Sequence, residues 1–269
     1  MKIITNKDYL LKLISDKKNI GFVPTMGGIH LGHTSLIKKS ISDCSITIVS
    51  IFINKPQFNK KNDYIKYPRI LKKDIFVLRK LKIDYLFLPS SKQIYPKGVN
   101  KNIKINSFKK KLCGKYRPGH FEAVVDVIEK FINIIKPKKI YMGKKDMQQL
   151  MIIKNFVENN YKNTKIIGCK TIREKNGIPY SSRNFLLAKK EKIIASKIVK
   201  LLLLKKKKIV TGINSINLIK KIIYKFGVRK IDYIKILDVN RLIKPYKKNK
   251  NYKIFISYYL KTTRLIDNI

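Results

Sequence analysis

Tryptophan is absent from this chain, and histidine and cysteine occur three times each. Cys44, Cys113 and Cys169 are odd in number, far apart and without metal-ligand spacing. They read as free thiols of a reducing cytoplasm, which excludes a disulfide framework and a cysteine-based metal centre. No window approaches the roughly 18 uninterrupted apolar residues of a membrane span. The stretch from Met1 to Leu10 has no signal-peptide core. Acidic residues are also scarce, 16 against 62 Lys and Arg, for a formal charge of +46.

That charge invites a nucleic-acid reading. The excess is lysine, however, spread along the whole sequence beside abundant isoleucine and asparagine, which is what A/T-rich codons write. A dedicated nucleic-acid face needs basic residues gathered with interleaved aromatics, so none is expected here. The charge would still attract anions. With 269 residues and 44% apolar content, the chain can bury one large core or two modest ones.

Apolar runs alternate with helical periodicity through the first two thirds. Ile20 to Val23 reads as a strand broken at Pro24, followed by a helix from near Gly32 with Leu36, Ile37 and Ile41 on its apolar face. Ser45–Ile53 and Ile83–Leu88 read as strands flanking a helix that carries Leu71, Ile75, Leu78 and Leu81. Val124, Val127, Ile128, Phe131 and Ile135 mark an amphipathic helix closed by Pro137. Lys139–Met142, Asp146–Val157 and Lys165–Cys169 read as strand, helix and strand. This predicts an α/β domain over residues 1–170, a Rossmann-like parallel sheet with helices on both faces. From residue 171 to 269 the pattern becomes a smaller α+β domain. Its expected helices are Ala188–Leu204 and Ile213–Phe226, and its expected strands Ile231–Val239 and Tyr252–Tyr259. Lys205–Lys208 reads as a solvated loop.

All three histidines fall inside candidate motifs. Phe22 to His33 (FVPTMGGIHLGH) combines a strand, a glycine turn and a helix start, an arrangement that can hold phosphate on free backbone N–H groups. An ordinary turn with two surface histidines is the plain alternative. Ile53 to Phe58 places Asn54 and Gln57 where uncharged amides could bind hydroxyls, or where they simply serve a turn. Arg117-Pro-Gly-His120 suits an anion or a bend. In Gly143 to Gln149, Lys145 could meet phosphate, while Asp146 could cap a helix or hold ribose. Tyr180 to Asn184 brings two hydroxyls and the Arg183 guanidinium together.

Taken in order, these stretches resemble the pantoate–β-alanine ligase (pantothenate synthetase) family. That family carries Pro-Thr-Met-Gly before His-x-Gly-His, Asn-Pro-x-Gln-Phe, Tyr-Pro-Arg, Arg-Pro-Gly-His-Phe, Gly-Glu-Lys-Asp-x-Gln-Gln and Ser-Ser-Arg-Asn. The resemblance implies ATP-dependent joining of pantoate to β-alanine through a pantoyl adenylate, with release of pyrophosphate and AMP. It places Met26, Gly27, Gly28, Ile29, His30, Leu31, Gly32 and His33 at ATP. Gly143, Lys144, Lys145, Asp146, Ile172, Tyr180, Ser181, Ser182 and Arg183 join them. His30, His33, Lys145 and Arg183 would serve the chemistry, His33 as the family's proton donor, and Gln57 and Gln149 would grip pantoate. Mg2+ would arrive largely with ATP, with Asp74 as an outer partner. A homodimer and a C-terminal lid are implied too.

Four departures stand out. Lys144 replaces a usual glutamate, Leu31 an often acidic residue, and Tyr180 a common methionine or leucine, while Lys55-Pro56 inverts the usual order. The rivals are another nucleotidyltransferase, which would lack the Gln57 and Gln149 pair, and a basic nucleic-acid binder.

Overall fold

A computed structural model describes residues 1–211, 215–238 and 251–269. The chain divides into two compact units, Met1–Thr171 and Ile172–Ile269.

The first unit is built on strands β1 (Lys2–Ile4), β2 (Ile20–Thr25), β3 (Ile46–Ile51), β4 (Tyr85–Phe87), β5 (Lys139–Gly143) and β6 (Lys165–Cys169). They form one sheet in the order β1-β4-β3-β2-β5-β6, and every pairing is parallel. The helices are α1 (Lys7–Ile14), α2 (Leu31–Asp43), α3 (Lys61–Ile65), α4 (Leu71–Lys80), α5 (Ser91–Ile94), α6 (Leu112–Tyr116), α7 (His120–Ile135) and α8 (Met147–Asn160). Parallel strands force each connection back across a face, so both faces are covered and the central strands are apolar throughout. Val23, Val49, Leu86 and Tyr141 are sealed beneath Leu36, Ile37 and Leu78.

Two local expectations change. β2 continues through Pro24 to Thr25, because its ladder to β5 stops at Phe22↔Ile140 and the missing N–H has no partner there to lose. On α2 the inward position is Ser40, not Ile41, which is 40% exposed. Ser40 Oγ shares a 2.9 Å hydrogen bond with Thr47 Oγ1, and this meets the buried hydroxyl's need.

The second unit packs α9 (Lys189–Val210) and α10 (Ile216–Lys225) on an antiparallel sheet of β7 (Lys230–Asp238), β8 (Tyr252–Leu260) and β9 (Thr263–Asn268). Its core joins Ala195, Ile198, Val199 and Leu202 to Ile219, Ile223, Ile254 and Ile256. Helix α9 runs through Lys205–Lys208, which corrects the expected loop: the heptad-like run to buried Ile209 keeps the turn wound. Residue 213, the expected start of α10, and residue 239, the expected end of β7, lie outside the described residues. No described helix is long and apolar enough to cross a membrane.

Candidate active site

Strand order places the site. From β2 the chain steps outward through β3 and β4; it then crosses back to β5 and β6 on the other side of β2. The order reverses between β2 and β5, and in such sheets ligands bind beyond the carboxyl ends at that reversal. The Met26–His30 turn leaves β2 there, and Lys144–Asp146 leaves β5 there as a short 3-10 turn. Gln57 follows β3 and Gln149 opens α8, so the two glutamines flank the histidine turn at the same sheet edge.

The turn is shaped by two successive left-handed residues, Gly27 at φ +80 and Gly28 at φ +63. A Cβ on Gly27 would stand 3.0 Å from Asp74 Oδ2 and 3.2 Å from Ile51 Cγ2. Thr25 Oγ1 donates to Ser50 O (2.7 Å) and accepts from Gly27 N (3.2 Å). Asp74, buried in the first turn of α4, accepts from Gly28 N at 2.9 Å and Ile29 N at 2.7 Å. Burial pushes its carboxyl above the usual range, while those two N–H groups pull the other way. Both oxygens are thus committed to backbone, and no described group of three His, Cys, Asp or Glu side chains could hold a metal ion. The two backbone hydrogen bonds make Asp74 the anchor of the turn.

His30 caps α2, its Nδ1 accepting from His33 N at 3.4 Å. The two imidazoles stack with centroids 4.0 Å apart and planes 21° apart. His33 Nδ1 is sealed from water and has no hydrogen-bond partner among the described residues. Burial, then His33, then Lys145 drive the His30 pKa down to about 2. Burial drives His33 down to about 4, with Asp146 opposing and Lys145 assisting. Both rings are therefore neutral near pH 7. Each offers one N–H donor, and His33 can give up a proton as an acid only after an incoming anion has recharged it. Lys145 Nζ lies 3.5 Å from Asp146 Oδ1, so histidines, lysine and aspartate form one electrostatic cluster.

Gln57 sits beside this cluster, its Nε2 2.8 Å from Met26 Sδ. Its backbone carbonyl accepts from His120 Nδ1 at 2.8 Å and from an Arg117 guanidinium nitrogen at 3.1 Å. The Arg117–His120 segment thus positions the Gln57 loop. Gln149 is half-buried. Its neighbour Gln148 is structural, tying Cys113 N, Phe108 O and Lys111 O together. Leu31 is exposed.

Ile172, Tyr180, Ser181, Ser182 and Arg183 belong to the second unit. There Tyr180 N bonds Ile172 O (3.0 Å), and Ser181 Oγ accepts from Arg183 N (3.3 Å). Buried Asn184 donates to Glu174 Oε1 (2.8 Å) and Pro179 O (3.0 Å), which fixes the segment.

Sequence reasoning missed the anchoring role of Asp74. The signal was an acid set among Leu71, Ile75 and Leu78 on the apolar stripe, where a charge must find partners. Asn54, offered by the sequence for hydroxyls or for a turn, is buried and bonded to Gln57, Ala123 and Tyr95.

The family model described as pantoate-beta-alanine ligase matches residues 2–269. A pantothenate synthetase from Sulfurihydrogenibium sp. is 39% identical over 278 residues, covering 100% of this chain and 99% of that one. One from Clostridium botulinum is 42% identical over 254 residues, covering 93% and 90%. Among solved structures, the Francisella tularensis pantoate-beta-alanine ligase complexed with beta-gamma ATP and beta-alanine superposes with a TM-score of 0.85. It is 39% identical, and the match covers 100% of this chain and 97% of that one. A Thermus thermophilus pantothenate synthetase gives a TM-score of 0.90 at 27% identity, covering 100% and 99%.

Proposed function

We propose that this chain, which belongs to the pantoate–beta-alanine ligase family, condenses pantoate with β-alanine using ATP. A carboxylate is a poor acyl donor because oxide is a poor leaving group. Attack of the pantoate carboxylate on the ATP α-phosphate releases pyrophosphate and gives a pantoyl adenylate. The β-alanine amine then attacks the acyl carbon, and AMP leaves. Two anions must meet in the first step, so positioning and donors aimed at the phosphates supply the catalysis.

In this reading the Met26–His33 turn, whose Gly27, Gly28, Ile29 and His33 N–H groups are held internally, carries the two imidazoles that with Lys145 face the triphosphate. Gln57 and Gln149 hold pantoate from either side, in line with it. Gly143 and Asp146 serve ribose. Ile172, Ser181, Ser182 and Arg183 take adenine and phosphate roles on motif resemblance, and Arg183 adds permanent charge. Mg2+ enters with ATP as part of the substrate. The family reading adds a homodimer, a C-terminal lid and a cytoplasmic location. The observation that carries the proposal is the Asp74-braced double-glycine turn, set at the sheet's reversal point with Gln57 against Met26.

Purified protein with ATP and magnesium should release pyrophosphate only when pantoate is added, and form pantothenate only when β-alanine follows. Pyrophosphate release that ignores pantoate would overturn the assignment.

A further inference from the structure

Gln57 can serve pantoate only if its amide points the right way, since one end donates and the other accepts. One backbone carbonyl and two side chains fix that choice. The carbonyl of Ala123, in the first turn of α7, can only accept, and it lies 3.0 Å from Asn54 Nδ2. The amino end of Asn54 must therefore face α7. Its second N–H reaches Gln57 Oε1 at 3.2 Å. That leaves Asn54 Oδ1 on the other side, where the hydroxyl of Tyr95 donates to it at 2.8 Å. With Oε1 engaged, Gln57 must turn Nε2 outward, toward Met26 and the histidine turn.

We propose that Tyr95 is a positioning residue for the acid substrate: its hydroxyl, together with the Ala123 carbonyl on the opposite end of the amide, holds Asn54, which holds Gln57 with its amino group facing the site. This rests on the ligase reading, in which Gln57 meets the pantoate carboxylate and hydroxyls. A flipped Gln57 would turn its carbonyl oxygen on a carboxylate. The surroundings suit a permanent donor. Tyr95 closes helix α5, and its ring packs against Phe52 with centroids 6.3 Å apart. Burial first, then the nearby Asp126 carboxylate, push the phenol pKa up and keep the proton on oxygen. Asn54 is itself 1% exposed, so no water can replace a lost partner.

Tyr95→Phe keeps the ring and removes only the donor. In steady-state assays of the full chain, KM for pantoate should rise about 10-fold, the equivalent of about 1.4 kcal/mol, while KM for ATP stays within about 2-fold. In a Gln57→Ala background the same change should have no further effect on pantoate, because its route is gone. Asn54→Asp is the second variant. It removes both N–H donors and invites Gln57 to turn Nε2 inward, so KM for pantoate should again rise with KM for ATP unchanged. Additive effects of Tyr95→Phe and Gln57→Ala, or an equal rise in both KM values, would overturn the proposal. If the unaltered chain gives no pantoate-dependent pyrophosphate, the ligase reading itself fails; if it is active and the cycle is additive, only the relay fails.

Discussion

The sharpest physical expectation concerns the two stacked imidazoles. Their pKa values, about 2 for His30 and about 4 for His33, lie below the 6.5 of a free side chain, chiefly through burial. A base whose folded pKa is depressed contributes stability in full above its unfolded pKa and loses it as pH falls toward the folded value. At about pH 5 unfolded histidines are almost fully protonated while both native rings remain neutral. Each histidine therefore removes up to about 2 kcal/mol of stability between about pH 8 and pH 5. That figure barely depends on how far below 5 the native values fall. The assay is direct because the chain has 3 histidines. Proton NMR of the ring C–H signals, assigned with single His→Gln variants, should show His30 and His33 flat across this range in the free protein. Urea titrations should show His33→Gln losing less stability on acidification than the parent, by up to about 2 kcal/mol. A non-hydrolysable ATP analogue should then bring at least one ring back into titration, because a triphosphate opposes Lys145 and the neighbouring ring. Two ring signals titrating near 6.5 in the free protein would refute the reasoning, since stacking and a sealed Nδ1 could not then govern the pair.

Asp74→Asn keeps the shape but turns an amino group toward one backbone N–H of the turn. The unmet N–H costs about 1–3 kcal/mol, partly offset by removing a buried charge. Melting should therefore move little while adenylation falls on the order of 100-fold, as for a misplaced reacting group; comparable activity would show that the brace is dispensable. In the second unit, Arg173 pairs with buried Asp267 through contacts of 2.7 and 3.0 Å. Arg173→Ala strands that carboxylate and should cost about 3–5 kcal/mol, read as a lower melting temperature and faster proteolysis within Ile172–Ile269. Gly114→Ala would set a Cβ 1.5 Å from Lys109 O. The loop from Asn106 to Arg117 must then move, so soluble yield should collapse; normal yield would contradict the packing.

The parallel sheet was legible because its strands are β-branched, apolar on both faces and separated by strong helical periodicity. The histidine turn was legible because glycine and histidine are rare here and cluster. Two kinds of feature stayed hidden. β1 is only three residues long, Lys2–Ile4, and owes its existence to β4, which no local pattern reports. The surroundings of Gln57 were hidden for another reason: Tyr95, which bonds its neighbour Asn54, and the Arg117–His120 segment, which bonds its backbone carbonyl, are distant in sequence and only the fold brings them together. Sequence reading offered Arg117–His120 for an anion, and a hydrogen-bond donor looks the same from sequence whether it meets a ligand or a backbone carbonyl.

The surviving acids show how so basic a chain keeps its shape. Asp74, Asp126, Glu191, Asp232, Asp238 and Asp267 are buried, whereas no lysine or arginine is buried among the described residues. Several have a specific task. Asp74 holds two turn amides, Glu191 accepts from Ala188 N at the start of α9, and Asp232 binds Ser257 and Arg264 across the three strands of the small sheet. Substitution toward lysine can act freely on solvated positions, where a charge change is worth little. It cannot act where a carboxylate is the acceptor for buried donors, because loss of that acceptor strands them. The excess positive charge is thus a property of the surface, while the negative charge that remains is largely architectural. The same division explains why a lysine-rich composition leaves neutral amides and neutral imidazoles in place around the turn. There the direction of each donor matters, and bulk charge cannot stand in for it.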